Sequence, residues 1–472
     1  MPGIRDLCLL MPNATGHDSD LPLQSVVDGI VWPAILHKGV PGLRNILAQL
    51  NDSQWLSEEV LRAHQMAQLK SLLRHSIATV PHYASAFAGV DLDGLNFETF
   101  AMLPRLGRRD FQENFAALKS TALPISHGQP VEGQSSGSTG MPVRFLRPPA
   151  NQLYWLALTV REHLWHARDF TGKLCAIRVR VDETQLPNWG MPVTALFRTG
   201  PASTLDVRTD LSRQLDWLIR EDPDYLLTHA SNLHALAKLS ITRGVRLPRL
   251  RHARSFSEAL HPELRGTVRA AWGVETVDVY SCEEAGYIAL QCPLHEHYHV
   301  QAENIIVEVL DDNGKQCEVG ETGEIVLTTL HNFATPLVRY RLGDFAEVGA
   351  PCTCGRGLPV LRRIYGRQRN MLTLPDGRRH WPSFPSSLWL DVAPVEQFQV
   401  IQRNAGSLEI NYVMQRTLTA SEQAQLSAAL IDRLGFAFNF DWQRRDGLER
   451  SKSGKFEDFM SLVDAADSPT TL

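Results

Sequence analysis

Between residues 174 and 280 the chain alternates segments that have the two-residue period of a strand with segments that have the 3.6-residue period of a helix. Leu174–Val181 alternates apolar with charged side chains, whereas Tyr225–Thr228 and Thr276–Tyr280 are typical of short buried strands. After Tyr225–Thr228, Ser231 is placed to cap a helix with apolar residues at every third or fourth position. Strands that alternate with helices in this way predict an α/β core.

A second pattern predicts that this core carries additional β-structure. Ile305–Leu310 and Glu324–Leu330 both favour strands, and the segment between them contains Asn313 and Gly314, which supply the positive φ of a tight turn. These residues predict a hairpin and a β-rich subdomain around residues 300–350.

The two ends of the chain predict different structures. From Ser57 to about Val80 the spacing of leucines predicts a helix. From about residue 371 the sequence predicts a separate small α+β unit, whose helix begins at Thr419 with a capping box and ends at Gly435. Residues 1–50 are rich in Gly and Pro and show weak periodicity, so we expect an extended arm or cap there.

Composition excludes several classes of protein. The 472 residues carry 47 Lys and Arg against 52 Asp and Glu, so no basic excess predicts nucleic-acid binding. No apolar run approaches the ~18–20 residues of a membrane span, and the apolar patch near the N-terminus is too short for a secretory signal. Seven cysteines in so long a chain do not make a disulfide scaffold. We therefore expect a cytoplasmic globular protein.

The segment most informative about chemistry is the loop Gly133–Pro142, with the sequence GQSSGSTGMP. Its glycines let the backbone approach a ligand closely, and its hydroxyl groups add donors, so the loop suits the oxygens of a phosphate. Met141 follows the last glycine, which excludes the lysine-containing phosphate loop of many nucleotidases. Prolines at positions 130 and 142 exclude the strand and helix that a hydrolase nucleophile elbow requires. Taken alone, the segment is equally typical of a surface turn.

This loop is one of several motifs that occur in a set order. They are Ser135–Pro142, Val279–Glu284 (VYSCEE), Thr328–Leu330 followed by Pro336–Asp344 (PLVRYRLGD), Gly366-Arg367 before Met371-Leu372, and Ser453–Lys455 (SGK). With these motifs the chain resembles the phenylacetate–CoA ligase branch of the adenylate-forming (acyl-adenylate synthetase) superfamily over roughly residues 52–460. The first 50 residues resemble an extension found in capsule-biosynthesis relatives.

The resemblance implies both an architecture and an activity. We expect an N-terminal extension (residues 1–51), a large α/β adenylation domain with a β-rich subdomain (52–369) and a mobile α+β lid (370–472). The implied reaction activates a carboxylic acid, expected to be aromatic, as acyl-AMP with release of pyrophosphate. The acyl group then passes to the thiol of CoA. The implied cofactors are ATP, Mg²⁺ and CoA.

The resemblance also assigns roles to individual residues. The residues expected to hold the phosphates are Ser135, Ser136, Gly137, Ser138, Thr139 and Gly140. Attack of a carboxylate on a phosphate needs cations and oriented donors nearby, because like charges repel. Glu284 is expected to bind Mg²⁺, a hard cation that takes carboxylate and phosphate oxygens. Asp344 is expected to accept hydrogen bonds from the ribose, Arg367 to contact the nucleotide, and Tyr280 to border the nucleotide and the carboxylate pocket. Lys455 would neutralise charge on the α-phosphate.

Two positions depart from the family pattern. The family usually has acidic residues two and three positions after the arginine matched by Arg367, and this chain has Arg369 and Asn370 there. The first of these is the usual hinge for the swing of the small domain, so its replacement by arginine bears on the second half-reaction. Many relatives carry lysine at the position of Met141.

A further group of residues predicts a metal site. Cys352 and Cys354 follow, some 60 residues later, a segment with Cys292 and three histidines that ends at His299. Two such half-sites joined by a hairpin can close a tetrahedral Cys₃His zinc site. Some members of this branch carry a Cys/His zinc site here, which implies the set Cys292, His299, Cys352 and Cys354 and a structural metal. The alternative is a solvated loop that happens to contain histidines.

Two other functions stay open from the sequence. In the first, the same adenylation is followed by transfer to a carrier-protein thiol or an amine. The altered hinge and the N-terminal extension are consistent with this alternative. In the second, the chain binds a nucleotide without turnover, which would fit Met141 and Arg369. Lys455 and Glu284 argue against the second, because a protein that binds a nucleotide without catalysing a reaction needs neither residue. The expected partners are the acid, ATP and CoA or a carrier protein, and a homodimer is also open.

Overall fold

The computed structural model describes residues 24–135, 142–261, 263–451 and 454–463, and of Gln368 only the backbone. The helices are α1 (Gly39–Ser53), α2 (Glu58–Thr79), α3 (Pro81–Ala86), α4 (Phe97–Phe100), α5 (Arg108–Glu113), α6 (Pro149–Trp165), α7 (Val193–Leu196), α8 (Leu211–Glu221), α9 (Ala230–Arg243), α10 (Leu264–Trp272), α11 (Ser386–Leu390) and α12 (Ala420–Leu434), with short 3-10 helices at Ile125–His127 and Gln368–Asn370. The strands are β1 (Val131–Gln134), β2 (Arg144–Arg147), β3 (Leu174–Arg178), β4 (Thr184–Leu186), β5 (Ala202–Asp206), β6 (Tyr225–His229), β7 (His252–Phe256), β8 (Glu275–Cys282), β9 (Gly286–Gln291), β10 (Tyr298–Val300), β11 (Ile305–Leu310), β12 (Thr322–Thr329), β13 (Tyr340–Val348), β14 (Val360–Arg367), β15 (Leu372–Thr373), β16 (Arg379–His380), β17 (Gln397–Asn404), β18 (Ser407–Val413), β19 (Asn439–Arg445) and β20 (Phe459–Ser461). Among these helices, none combines the length and the apolar character needed to span a membrane.

One twelve-stranded sheet organises the large N-terminal part. Its strand order is β11-β12-β13-β14-β10-β9-β8-β7-β6-β3-β5-β4. Neighbouring strands from β8 to β5 run parallel, whereas every pair from β8 through β9 to β11 is antiparallel. The predicted α/β core is therefore confirmed. The predicted β-rich portion is the antiparallel half of this same sheet, and the hairpin of β11 and β12 forms with Gly314 at φ +79°.

The parallel half places several loops at one edge of the sheet. The chain runs from β6 through α9 to β7 and through α10 to β8, so the carboxyl ends of these strands lie side by side. The predicted cap of α9 is wrong, because His229 is the N-cap residue and makes no side-chain cap bond. The carboxylate of Glu258 instead accepts from the backbone N–H of Ser231 at 2.7 Å.

Of the two structures predicted for residues 1–50, an extended arm or a cap, the extended arm is wrong for the last part. Residues 1–23 lie outside the described residues, but Gly39–Ser53 forms helix α1. Its buried face consists of Gly42, Leu43, Ile46, Leu47, Leu50 and Ser53. Glycine and proline obscured this periodicity, yet they fall in the first turn, where backbone N–H groups have no partner within the helix. The leucines join the main hydrophobic core with α2, α6 and the antiparallel strands.

A buried ion pair ties α1 to the large sheet. The Arg161 guanidinium on α6 donates to the Glu303 carboxylate at 2.7 Å, and the two side chains are 3% and 0% exposed. Ser53 donates to the same carboxylate at 2.8 Å, and Arg161 also donates to the backbone carbonyl of Leu50. All of these groups exchange water for protein partners, which buried charges require.

The C-terminal part forms its own small sheet and core. Its strand order is β19-β18-β17-β20, with β17 and β18 antiparallel and the outer pairs parallel. The helix predicted from Thr419 is α12, which has the capping box with Glu422 and ends at Gly435 in the left-handed conformation. Ser57 likewise caps α2. These local elements form as predicted because their signals are short-range.

Replacement of Arg161 by methionine tests the buried ion pair. Arg161→Met leaves the Glu303 carboxylate buried without its counter-charge, so we expect the free energy of unfolding to fall by about 3–5 kcal/mol. Denaturant titration measures the effect. Arg74→Met, which removes an exposed pair with Asp93, is the control and should leave the free energy of unfolding nearly unchanged. A loss in Arg161→Met no larger than in the control would contradict the role of the pair.

Candidate active site

Three of the residues expected to contact the nucleotide lie together. Asp344 on β13 and Arg367 on β14 face each other in the strand register, with 3.7 Å between Oδ1 and Nε. The Tyr280 hydroxyl on β8 donates to Oδ2 of Asp344 at 2.8 Å. Burial, and then the nearby carboxylate, raise the pKa of Tyr280 well above its ordinary value, so the phenol stays a neutral donor. Asp344 is thus oriented by two partners while its side chain is still 16% exposed.

The residues expected at the phosphates and the magnesium ion also lie close together. One guanidinium nitrogen of Arg108, at the start of α5, donates to Glu284 at 3.3 Å and to the Tyr340 hydroxyl at 3.2 Å. Another donates to the Ser135 hydroxyl at 3.4 Å. The Tyr340 hydroxyl in turn donates to Glu284 at 3.3 Å. Arg108 therefore connects Ser135 to Glu284, which are 149 positions apart in the sequence.

The two groups of residues are adjacent. Burial raises the pKa of the Cys282 thiol well above its ordinary value, and the charges of Glu284 and Asp344 raise it further. The Cys282 side chain therefore lies near both the expected magnesium ligand and the expected ribose ligand. Tyr340 and Asp344 also share strand β13.

Most of the predicted phosphate loop lies outside the described residues. This applies to Ser136, Gly137, Ser138, Thr139 and Gly140, and to Met141. The two ends of the loop are held together, because the Ser135 backbone N–H donates to the Val143 carbonyl at 2.8 Å. The Val143 N–H donates to the Ser135 hydroxyl oxygen, also at 2.8 Å. Ser135 accepts here, so its own hydroxyl hydrogen remains available to a phosphate oxygen.

The loop that carries Lys455 lies against the carboxyl edge of the parallel strands. Gly454, at φ +80°, comes so close that a Cβ there would lie 2.6 Å from Cγ1 of Val179 and 2.9 Å from Nε2 of His229. Only glycine combines this backbone conformation with this close approach. The C-terminal unit therefore places Lys455 at the edge where open α/β sheets bind ligands.

A buried carboxylate of the large domain holds the same loop. One oxygen of Glu258 accepts from the Phe456 backbone N–H at 2.7 Å, while its other oxygen accepts from Ser231. Arg450 of the lid lies 4.0 Å from the same carboxylate and donates to the Ser231 hydroxyl at 2.7 Å. Burial raises the pKa of Glu258, so these donors compensate a desolvated group.

Four charges surround the Lys455 ammonium. Burial lowers its pKa, and the positive charge of Arg367 lowers it further. The carboxylates of Asp344, Glu258 and Glu457 act in the opposite direction. Lys455 therefore lies near Asp344 and Arg367, the two residues expected at the nucleotide.

The two departures at the hinge have partners in the lid. Arg369 forms an ion pair with Glu457, and these side chains are 23% and 21% exposed. The Asn370 amide donates to the Phe459 carbonyl at 2.8 Å. Both contacts join the linker between β14 and β15 to the segment that contains Lys455.

The cysteines and histidines of the predicted metal site converge. Cys292 and Cys352 have their sulfur atoms 3.8 Å apart, and Cys354 Sγ lies 3.4 Å from His299 Nε2. Two thiolates on one tetrahedral zinc ion, each at about 2.3 Å, would be separated by about 3.8 Å. The His299 Nδ1 faces the Leu358 carbonyl, which leaves Nε2 for a metal.

Sequence reasoning missed a fifth candidate ligand. His297 lies with Cys292, His299 and Cys352 in a group whose ligand atoms are all within 4.8 Å of one another. Its Nε2 is buried and has no hydrogen-bond partner among the described residues. The alternation His295-x-His297-x-His299 is the signal that could have indicated it, because alternate residues of a strand point to the same face.

Arg108, Tyr340 and Glu457 were missed for a different reason. Arg108 and Glu457 are ordinary residues in their local sequence, and Tyr340 lies in the motif Pro336–Asp344 but had no role assigned to it. Each acquires a role only through a partner far away in the chain. Glu457, two residues after Lys455 and opposite in charge to Arg369, is the one case where charge complementarity with the hinge could have suggested the contact.

Several polar and aromatic side chains of the large domain make contacts within the protein interior. Ser255 is buried and donates to Asp278 at 2.6 Å, and Trp165 donates to Gln54 at 2.9 Å. The rings of Trp155 and Tyr287 lie 4.6 Å apart and are tilted by 32°. These contacts stabilise the core beside the site.

No family model matches the chain. It is 26% identical over 371 residues to a phenylacetate–coenzyme A ligase of Thermus thermophilus, a match that covers 75% of this chain and 81% of that protein. It is 25% identical over 379 residues to a protein of the same name from Pseudomonas putida, covering 74% and 79%. The resemblance predicted from the motifs is confirmed by these relatives.

The fold is that of adenylate-forming CoA ligases. It matches 2-hydroxyisobutyryl-CoA ligase in the postadenylation state, in complex with R3-HIB-AMP, with a TM-score of 0.67 at 16% identity, over 87% of this chain and 91% of that one. The same ligase in the thioesterification state, in complex with 2-HIB-AMP and CoA, gives a TM-score of 0.56 at 17% identity over the same shares. The arrangement of large domain and lid here is thus more similar to the postadenylation state.

Replacement of Gly454 tests the docking of the Lys455 loop. A Cβ at this position would clash with Val179 and His229. The backbone at residue 454 is also left-handed, which costs a residue with a side chain about 1–2 kcal/mol of stability. We therefore expect Gly454→Ala to undock the loop and to speed hydrogen exchange of the Phe456 amide on the order of tenfold. Gly447→Ala, with no atom near its Cβ, is the matched control. Equal exchange in the two variants would show that the loop does not need its close approach.

Proposed function

We propose that the protein is an acyl-CoA ligase that activates a carboxylic acid, of the aromatic class, as acyl-AMP and then transfers the acyl group to CoA. The carrying observation is the convergence of Lys455 with Tyr280, Asp344 and Arg367 at the edge of the large sheet. The phenylacetate–CoA ligases and the CoA-ligase fold reported above support the same reaction and the same thiol acceptor.

In the first half-reaction a carboxylate oxygen of the acid attacks the α-phosphorus of ATP. A new P–O bond forms, the bond between the α-phosphorus and the bridging oxygen breaks, and pyrophosphate leaves with the electron pair. Negative charge develops on the α-phosphate oxygens, which the Lys455 ammonium is placed to stabilise. Asp344 would accept hydrogen bonds from the ribose hydroxyls, and Arg367 and Tyr280 orient it.

At the phosphates, Arg108 and the loop after Ser135 would supply positive charge and donors. Arg108 lies within hydrogen-bond distance of both Ser135 and Glu284, so it bridges the loop and the carboxylate. When bound, Mg²⁺ would neutralise the phosphates, and Glu284 with its buried carboxylate is the residue that would hold it. Tyr340 fixes the orientation of that carboxylate.

In the second half-reaction the thiolate of CoA attacks the acyl carbonyl carbon. The C–S bond forms, the bond to the AMP phosphate oxygen breaks, and AMP leaves. For the thiol to reach the carbonyl, the loop that covers the carboxyl edge has to move, because Gly454 and Phe456 occupy that edge in this arrangement.

A structural zinc ion at the cysteine–histidine cluster is part of this proposal. Within the set Cys292, His299, Cys352 and Cys354, the separation of the Cys292 and Cys352 sulfur atoms suits a tetrahedral ion, and Cys354 Sγ lies beside His299 Nε2. The group whose ligand atoms all lie within 4.8 Å of one another contains His297 in place of Cys354. The cluster joins the loop between β9 and β10 to the turn between β13 and β14, so the metal would hold together the antiparallel half of the sheet. His297 competes with Cys354 for the fourth position.

Replacement of Lys455 by alanine tests the activity. Lys455→Ala removes the cation at the α-phosphate, so acid-dependent release of pyrophosphate should fall by about 100-fold or more, while ATP binding changes little. The assay uses ATP, Mg²⁺ and pooled aromatic and aliphatic acids, with and without CoA. Lys315→Ala, on an exposed turn, is the control.

Each outcome of that assay has a clear meaning. Release that depends on an acid and rises with CoA supports the CoA ligase. Release that depends on an acid but ignores CoA contradicts CoA as the acceptor and directs the search to carrier thiols and amines. ATP binding without release from any pool, and without an effect of Lys455→Ala, contradicts an enzyme.

Metal analysis tests the zinc site. We expect about one zinc ion per chain in protein purified without chelators. The double substitution Cys352→Ser and Cys354→Ser should remove it and lower the thermal stability, because the ligands come from segments that are distant in the sequence. Cys317→Ala, at a buried cysteine outside the cluster, should retain the metal. Wild-type protein without zinc would contradict the site.

A further inference from the structure

We propose that Arg369 and Glu457 form a charge latch that holds the Lys455 loop closed for adenylation and that has to separate before acyl transfer. Both are positioning residues, since they act through Lys455. The inference rests on the proposed function for its kinetic consequences, although the closed arrangement itself is a property of the fold.

The position of Arg369 makes it suitable for such a latch. Strand β14 ends at Arg367 in the large sheet, and β15 begins at Leu372 in the C-terminal part, so the chain passes from one to the other through Gln368–Asn370. A rotation of the lid relative to the large domain requires changes of φ and ψ in this short segment. Arg369 therefore lies in the segment about which the lid would rotate relative to the large domain.

Glu457 connects this hinge to the catalytic loop. It lies two residues after Lys455, and its carboxylate is the ion-pair partner of Arg369. Arg367, Arg369 and Lys455 would otherwise bring three positive charges to one place. Glu457 counters this repulsion, since its charge acts favourably on the Lys455 ammonium as well as on Arg369.

Neighbouring contacts explain why separation of the pair would free the whole loop. Asn370 holds the Phe459 carbonyl, and Glu258 of the large domain accepts from the Phe456 N–H. These hydrogen bonds engage Phe456 and Phe459, which lie on either side of Glu457 in the sequence. The segment is also bonded to strand β17, through Gln399 to the Glu457 carbonyl and through the Val400 N–H to the Asp458 carbonyl, but these bonds lie within the C-terminal unit and move with it. We therefore expect the closed state to become less populated when the ion pair is lost.

The latch predicts opposite effects on the two half-reactions. Adenylation needs Lys455 over the α-phosphate, and transfer needs the loop to leave the carboxyl edge. Weakening the pair should therefore slow the first step and leave the second unchanged or faster. A residue that served stability alone would slow both.

The test uses Arg369→Gln, Glu457→Gln and the charge-exchanged double variant Arg369→Glu/Glu457→Arg of the full chain. Acid-dependent exchange of pyrophosphate into ATP reports the first step. Consumption of acyl-AMP formed in advance, on addition of CoA, reports the second. Hydrogen exchange of peptides that contain Phe456 reports loop closure without any need for activity. Arg403→Gln, which removes a surface ion pair with Glu409 in the same small sheet, is the control.

We expect each single variant to lose about five- to tenfold in the first step and to exchange the Phe456 amide faster by a similar factor, the size typical of a partly buried ion pair. Transfer should not slow. The double variant should recover most of both losses, and the control should show neither.

Equal losses in both steps, or no change in exchange, would overturn the latch. Failure of the charge-exchanged variant to recover while it remains folded would do the same. If the wild type activates no acid, the proposed function fails, and the exchange measurements alone then decide whether Arg369 and Glu457 hold the loop.

Discussion

The site depends on the balance of charge around one lysine brought in from the C-terminal unit. Lys455 is buried against the large domain, and burial disfavours its charged form. Three carboxylates, of Asp344, Glu258 and Glu457, offset this cost and come from three different parts of the chain. Two of these carboxylates belong to the large domain and one to the C-terminal unit, so the charges around Lys455 favour the arrangement of the two units seen here.

The change from parallel to antiparallel strands within one sheet explains where those charges meet. The parallel half delivers the loops after β6 and β7, with His229 and Glu258, to a single edge. The antiparallel half brings Asp344 and Arg367 to the same region, since β13 and β14 are neighbours there. Tyr280 lies on β8, where the two halves join, and its hydrogen bond to Asp344 links them.

Sequence reasoning reached the parts of this arrangement that local patterns encode. The strand and helix periods, the capping box at Thr419 and the glycine-rich loop were all readable from local patterns, whereas the grouping of Tyr280, Asp344 and Lys455 was implied by the resemblance to a known family. Helix α1 was missed because Gly and Pro in its first turn mask the leucine spacing. Arg108 was missed because nothing near it in the sequence distinguishes it. Its role comes from Glu284 and Ser135, which only the folded sheet brings close.

The contacts between the Lys455 loop and its surroundings stabilise the closed arrangement, and their strength is compatible with the opening that the proposed reaction requires. The Arg369–Glu457 pair keeps about a fifth of each side chain in water, where ion pairs contribute little and salt screens them. When the loop leaves, Glu258 loses the N–H of Phe456 but keeps that of Ser231 and regains water, so the net change is smaller than the contact in the closed state suggests. A fully buried pair, such as Arg161 with Glu303, would leave unpaired charges on opening and would be unsuitable at a hinge. The fully buried pair of Arg161 and Glu303 accordingly lies in the core, whereas the partly exposed pair of Arg369 and Glu457 lies where the proposed reaction requires movement.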